Sequence, residues 1–424
     1  MSNQEMTDEI IVNSLPLDIQ YGGTYSIAQQ NPNTYTHIYF KYPCRFIPEI
    51  PRWAIKKYLN KKDAIVFDPF AGSGTTLLES NILGYNAYGT EVDIIAKLII
   101  KVKTTSLTNT QLNSLSTIYE TIIYGVQNEN IEITKPQINN LDHWFNQDNL
   151  SVLGKIRTLI NQILDKDIKD FLDVCFVSII KKVSNADDIS PKPYVSSKFA
   201  KIPPNALEEF MQIFKRYYGA ITQLSSLNIK SKSSLTKGDA LNIRFDKKID
   251  LAITSPPYIN AFDYARTLRL ENLWLGVLSE DELREKKKIY VGTESFNTIA
   301  EETRLDILND SDLLLNYFNL IKEVDNKRAL IVKKFFEDMK SNLKEIYDTL
   351  VPNGHYVVVI GNSNIRKVEV ESWKVIEQIA QTIGFETETY FNYVIQNPYI
   401  RIPRSNKGGK INKDNVLVLK KGEH

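Results

Sequence analysis

The sequence predicts an α/β fold, a doubly wound and mostly parallel sheet carrying a helical insert domain. Three observations carry that expectation. Residues 64–93, AIVFDPFAGSGTTLLESNILGYNAYGTEVD, read as strand, glycine-rich turn, helix and second strand. Residues 249–258, IDLAITSPPY, read as another buried strand that ends on a rigid proline corner. Between the two lies far more chain than one β-α crossover needs, and most of it has helical spacing.

Taken in order, AIVFD is a short apolar run rich in branched side chains, and Pro69 ends it. TTLLESNIL has helical apolar spacing, Gly84 closes that helix, and NAYGTEVD is a strand ending on acids. The central stretch includes NQILDKDIKDFLDVCFVSIIKKVS, whose helical spacing is sustained throughout. We place the core at residues 1–106 and 233–424, and a separate helical lobe at residues 107–232. Within that lobe, SNADDISPKPYVSSKFAKIPPN is polar, broken by prolines and dotted with lysines. After the proline corner, YARTLRLENLWLG reads as an amphipathic helix carrying Arg266 and Arg269. Lys286, Lys287 and Lys288 then form a solvated run, and Arg401, Arg404, Lys407 and Lys410 surround a Gly-Gly turn as a basic hairpin tip.

Bulk composition excludes little. The 424 residues are 42% hydrophobic and 24% charged, as in an ordinary globular chain, and the net charge of +1 neither announces nor excludes a polyanionic partner. Cys44 and Cys175 lie far apart with no metal-ligand spacing, so neither a disulfide framework nor a metal site is expected. The first residues lack the basic-then-apolar pattern of a secretory leader, and no apolar run approaches the roughly 20 residues of a membrane span, which makes a cytoplasmic address the default. His37, His355, Trp144 and Trp274 are read as packing residues without a chemical role.

A glycine loop between strand and helix lets backbone approach a ligand, and the helix start offers it unpaired amides. AGSGTT lacks the lysine of a nucleoside triphosphate loop, and Gly74 is followed by TTL where the dinucleotide pattern needs its third glycine. A small cofactor remains. Glu91 stands where a carboxylate could accept both ribose hydroxyls, and Asp68 suits a ligand with a positive amino group. S-adenosylmethionine has both features. The plainer alternative is that the two acids only cap strands and helices.

DPFAGSGTT together with TSPPY resembles the DNA amino-methyltransferases, which use S-adenosylmethionine to methylate the exocyclic amine of cytosine or adenine. HIYFKYPCRFIPEIPRWAI resembles the family segment packed over the methionine end of the cofactor, KGDALNI the strand bearing an adenine-binding acid, and NGHYVVVIGNS a later core strand. The resemblance implies a Rossmann-like methyltransferase fold. It also implies a cofactor set of Phe46, Pro48, Asp68, Pro69, Phe70, Gly72, Ser73, Gly74, Thr75, Glu91, Val92, Asp239 and Ala240. The implied catalytic set is Ser255, Pro256, Pro257 and Tyr258.

An exocyclic amine is a poor nucleophile because its lone pair is delocalised into the ring, so acceptors must hold its hydrogens. A Pro-Pro corner has no amide donors and presents carbonyls in a fixed direction. Ser255 and the Pro256 carbonyl would accept, while Tyr258 would stack on a base flipped out of the duplex. Transfer would then be direct, without a covalent enzyme intermediate, and neither cysteine has an activating neighbour in sequence. In the family, serine at the first corner position goes more with cytosine N4 and aspartate more with adenine N6, which favours cytosine here and leaves adenine as the alternative.

The expected partner is double-stranded DNA, contacted by the lobe and by Arg266, Arg269, Arg401, Arg404, Lys407 and Lys410. A restriction endonuclease acting on the same site is a further expected partner. Two rival readings are an enzyme acting on an RNA base or protein amide, and a DNA-binding regulatory subunit without activity.

Overall fold

The computed structural model describes residues 9–28, 32–43, 47–259, 264–396 and 413–423. Among them, nine strands make one sheet: β1 (Glu9–Val12), β2 (Thr24–Ile27), β3 (Ile65–Asp68), β4 (Asn86–Gly89), β5 (Ser233–Leu235), β6 (Ile249–Thr254), β7 (Leu350–Gly361), β8 (Phe385–Val394) and β9 (Lys413–Lys421). Their spatial order is β1-β2-β8-β9-β7-β6-β3-β4-β5, and each neighbouring pair is parallel except the two that β9 makes.

Helices cover both faces, as a parallel sheet requires. Successive strand residues point to opposite faces. Val66 of β3 and Val357 and Val359 of β7 join a core built with α1 (Glu49–Tyr58), α2 (Thr75–Ile82) and α3 (Ile94–Thr104). Phe67, Tyr356 and Val358 face the other way.

The helices α4 (Asn109–Asn128), α5 (Gln147–Asn161), α6 (Lys166–Ile180), α7 (Ala206–Ser226) and α8 (Arg269–Leu275) lie between β4 and the segment beyond β6 in sequence. On the second sheet face pack α9 (Asp312–Val324), α10 (Asn326–Thr349) and α11 (Ser372–Ile383).

From β3 the chain winds outward to β4 and β5, then returns to β6 on the other side of β3. The carboxyl ends of β3 and β6 are therefore adjacent where the winding reverses, the crevice in which open α/β sheets bind ligands.

Three local expectations need correction. The helical lobe is not separate, because Ile95 and Ile99 of α3, Phe171 and Phe176 of α6, Phe210 of α7 and Trp274 of α8 share one continuous core. The reason lies in α6, which is buried at every position over residues 170–177 and must be enclosed all round. The run 161–184 is also interrupted. Asp165 caps a new helix by accepting from the amides of Asp167 and Ile168 at 2.9 and 3.1 Å. KGDALNI is not a strand of the large sheet: Lys237–Asp239 pairs only with Asn242–Arg244 in a small antiparallel hairpin, and Ser233–Leu235 takes the edge position beside β4.

Gly89 pairs with Asp68, and a β-carbon at position 89 would stand 2.6 Å from the Asp68 carbonyl oxygen. Gly219 in α7 is exposed and has open space around it. Gly89→Ala is expected to cost about 1–3 kcal/mol of unfolding free energy. Gly219→Ala is expected to add about 0.5–1 kcal/mol. Thermal and urea denaturation of both variants checks this, and a harmless Gly89→Ala would contradict the close packing of β3 on β4.

Candidate functional site

The site begins where β3 ends. Asp68 is fully buried, and its Oδ1 accepts from the Phe70 amide at 3.0 Å and from the Thr254 hydroxyl at 2.7 Å. The first bond fixes the turn out of β3; the second ties that turn to the end of β6. The Thr90 hydroxyl donates to the Pro69 carbonyl at 2.5 Å, so the turn is also bound to the end of β4.

Gly74 starts α2 with φ of +79°, a left-handed backbone that strains other residues, and a β-carbon there would lie 3.1 Å from Ile100. Glu91 braces the rest of the loop. Its Oε2 accepts from the Gly72 amide at 2.8 Å, while Oε1 accepts from the amides of Val92 and Asp93, each at 2.8 Å.

Above these strand ends lies a cavity of about 800 Å³, counting the solvent it opens onto. One wall is the glycine loop, through Phe70, Gly72 and Ser73, with Pro69 and Thr75 at its ends. A second wall is Glu91 and Val92, continued by Asp239 and Ala240 of the small hairpin. Ser255 and Pro257 bring the proline corner to the same space. The outer wall is Ile289, Tyr290 and Val291, and the Tyr290 hydroxyl donates to Asp93 Oδ2 at 2.9 Å.

Burial raises the Asp68 carboxyl to about 6, against the opposing influence of Thr76, Thr254 and the Phe70 amide. The Thr76 hydroxyl and Asp68 Oδ2 both lack a partner in hydrogen-bonding geometry among the described residues, although the two side chains are close enough to interact. Burial, reinforced by the charge of Asp93, pushes the Glu91 carboxyl up to about 8 against the three amides it accepts from. The site therefore holds negative charge at a cost, which a cationic ligand would relieve.

Most residues expected from the sequence to hold a cofactor converge on this cavity. Others do not line it. Asp68 lies beneath its floor, one residue before Pro69; Gly74 sets the start of α2; Pro48 is the buried cap of α1. Pro256 is buried behind the corner, and Tyr258 is half-buried with its hydroxyl donating to Asp414 at 2.6 Å. Asp239 does line the cavity, while its Oδ1 accepts from the amides of Leu241 and Asn242 at 2.8 and 3.1 Å. Phe46 and the basic residues Arg401, Arg404, Lys407 and Lys410 lie outside the described residues.

Of the two arginines expected at DNA phosphates, Arg266 is exposed. Arg269 is engaged elsewhere: its guanidinium forms a bidentate pair with Glu280 and stands 5.1 Å from the Trp144 ring centroid. Sequence reading missed Tyr42, Thr90, Tyr290 and Val291 in the cavity wall. Tyr42 was within reach, since it falls inside the segment HIYFKYPCRF. Nothing in the run EKKKIYVG marks Tyr290, which arrives from some 200 residues beyond Asp93 in sequence.

The cavity fits S-adenosylmethionine on the chemistry of its donors. Ser73 Oγ, in the wall, is a buried polar atom without a hydrogen-bond partner among the described residues. Asp68 offers negative charge for an ammonium group, Glu91 and Asp239 offer acceptors for hydroxyl and amino hydrogens, and Phe70 and Val92 offer apolar surface.

Residues 3–101 match the family model described as DNA methylase. Over nearly its whole length the chain is similar to the type II methyltransferase M.MvaI of Kocuria varians, 26% identical over 423 residues, 94% of this chain and 92% of the relative. It is also similar to the type II methyltransferase M.BsoBI of Geobacillus stearothermophilus, 26% identical across 84% of this chain and 80% of the relative. The type II methyltransferase M.AvaI of Nostoc sp. (strain PCC 7120) is 24% identical across 85% of this chain and 81% of the relative.

Because Asp68 and Glu91 titrate near 6 and 8, above their ordinary 3.8 and 4.5, both are partly protonated around neutrality. A cation bound beside them lowers both values, so binding is expected to release protons between pH 6 and 8, and affinity is expected to fall as pH drops below about 8 and more steeply below about 6. Calorimetry of S-adenosylmethionine binding in buffers of different ionisation enthalpy measures this. Identical heats in every buffer would show that neither carboxyl changes protonation on binding.

Proposed function

We propose that this chain, which belongs to the S-adenosylmethionine-dependent DNA amino-methyltransferases of restriction-modification type, methylates N4 of cytosine within one short sequence of duplex DNA. The observation that carries the reading is that a single cavity is walled both by the glycine loop and by Ser255 and Pro257 of the proline corner. Methyl donor and acceptor amine would share one cleft.

When bound, S-adenosylmethionine supplies a methyl group activated on a sulfonium centre. The protein's part is positional. Asp68, beneath the floor, attracts the amino group of the methionine end by its charge, while Glu91 takes the ribose hydroxyls and Asp239 the adenine amino group. Ser255 and the Pro256 carbonyl accept the two hydrogens of the target amine. That alignment turns the nitrogen lone pair out of the base ring and toward the methyl group, and the proton lost on transfer leaves through the same acceptors. Tyr258 stacks on the flipped base, whose unpairing costs a few kcal/mol. Arg266 holds a phosphate beside it, Arg401, Arg404, Lys407 and Lys410 bind the DNA backbone, and residues 107–232 contribute to duplex recognition.

Serine as the first residue of the corner supports cytosine over adenine, by the family association given above. Cys175 takes no part: it is fully buried and burial holds its thiol far above the usual range, so it cannot serve as a nucleophile toward a ring carbon.

The test is expression in a host lacking DNA methylation, followed by sequencing that registers modified cytosine and adenine in context. One short motif carrying N4-methylcytosine nearly everywhere is the expected result; N6-methyladenine there would transfer the proposal to adenine, and unmodified DNA from folded, cofactor-binding protein would sink it. Asp68→Ala is expected to lower cofactor affinity at least about 100-fold, since it removes a buried charge partner, and to abolish the methylation.

A further inference from the structure

The Tyr258 hydroxyl donates to Asp414 Oδ1 at 2.6 Å, across 156 residues of sequence. Asp414 is 7% exposed and sits at the start of β9, opposite Gly361 at the end of β7 and Tyr393 near the end of β8. The position follows from topology. Because β9 runs against its neighbours, its first residues lie at the carboxyl edge of the parallel strands, where the proline corner also emerges. The Tyr258 ring is thus held at two points. Its backbone follows the stiff Pro256–Pro257 pair, and its hydroxyl is anchored on a separate strand.

A carboxylate in this place is costly unless it does something. Burial raises the Asp414 carboxyl to about 6, and the bond from Tyr258 opposes that rise. An asparagine or serine could accept the same hydroxyl without burying charge. The charged form gives the shorter and stronger bond, which restricts rotation of the ring more tightly.

We propose that Asp414 is a positioning residue that sets the plane of the Tyr258 ring and thereby the seat of the target base. The proposal rests on the methyltransferase reading above and deepens it. Asp414 does not line the cofactor cavity, so its effect falls on the base and spares the cofactor.

The experiment uses the full chain, a duplex containing the recognised motif, and the same duplex with 2-aminopurine at the target position as a fluorescent probe of flipping and stacking. Asp414→Ala is expected to lower kcat about tenfold, as for loss of one charge-assisted hydrogen bond, and to brighten the bound probe because stacking no longer quenches it. Cofactor affinity by calorimetry stays at the wild-type value, which also shows that the variant is folded. Asp414→Asn, which keeps an acceptor but loses the charge, recovers part of the kcat. Tyr258→Phe combined with Asp414→Ala is no slower than Tyr258→Phe alone.

Wild-type kcat and probe signal in Asp414→Ala, or losses that simply add in the double variant, would overturn the proposal. Loss of cofactor binding in both Asp414 variants would also overturn it, by showing a structural role for the residue. A wild-type protein that binds cofactor but modifies no DNA fails at the earlier step instead, so the two failures are separable.

Discussion

Everything at the crevice depends on the contact between Thr254 and Asp68, 186 residues apart in sequence and joined by a hydrogen bond of 2.7 Å inside a fully buried pair. It fixes the end of β6 against the end of β3, so the proline corner and the glycine loop cannot move independently. Direct methyl transfer tolerates little misplacement, because positioning supplies much of its rate. A shared buried anchor is a physical way to meet that demand.

Around the anchor the protein places carboxyls where burial disfavours their charged form. Asp68, Glu91, Asp93 and Asp414 all titrate above their ordinary values, and in each burial is the leading cause. Structural needs alone do not require so many buried carboxyls, since neutral acceptors could cap the same amides. A cationic cofactor gives part of the charge a use, and the hydroxyls of Thr254, Tyr290 and Tyr258 stabilise the rest.

The inserted helices change the mechanical picture. A separate lobe could hinge freely over DNA, but here α3, which Asp93 caps, shares its core with α6 and α8. A force on the inserted helices is therefore transmitted to the wall of the cofactor cavity through packed side chains. Arg269 belongs to this packing: it pairs with Glu280 just beyond α8, and its place over Trp144 joins α8 to the insert.

The sequence by itself determined the local elements: β3 and the glycine loop, the turn into α2, the strand leading to the proline corner, and most residues that meet at the cavity. These are legible because each rests on short-range chemistry, such as a left-handed glycine, a proline without a donor or an acid at a strand end. Only the tertiary structure decided that Asp68 lies beneath the cavity and not in its wall, that Tyr290 closes its outer side, that Arg269 is taken by Glu280, and that Asp414 holds Tyr258. Those outcomes depend on which distant residues meet across the sheet and the helices. Strand order and strand direction set such meetings, and spacing along the chain carries no trace of either.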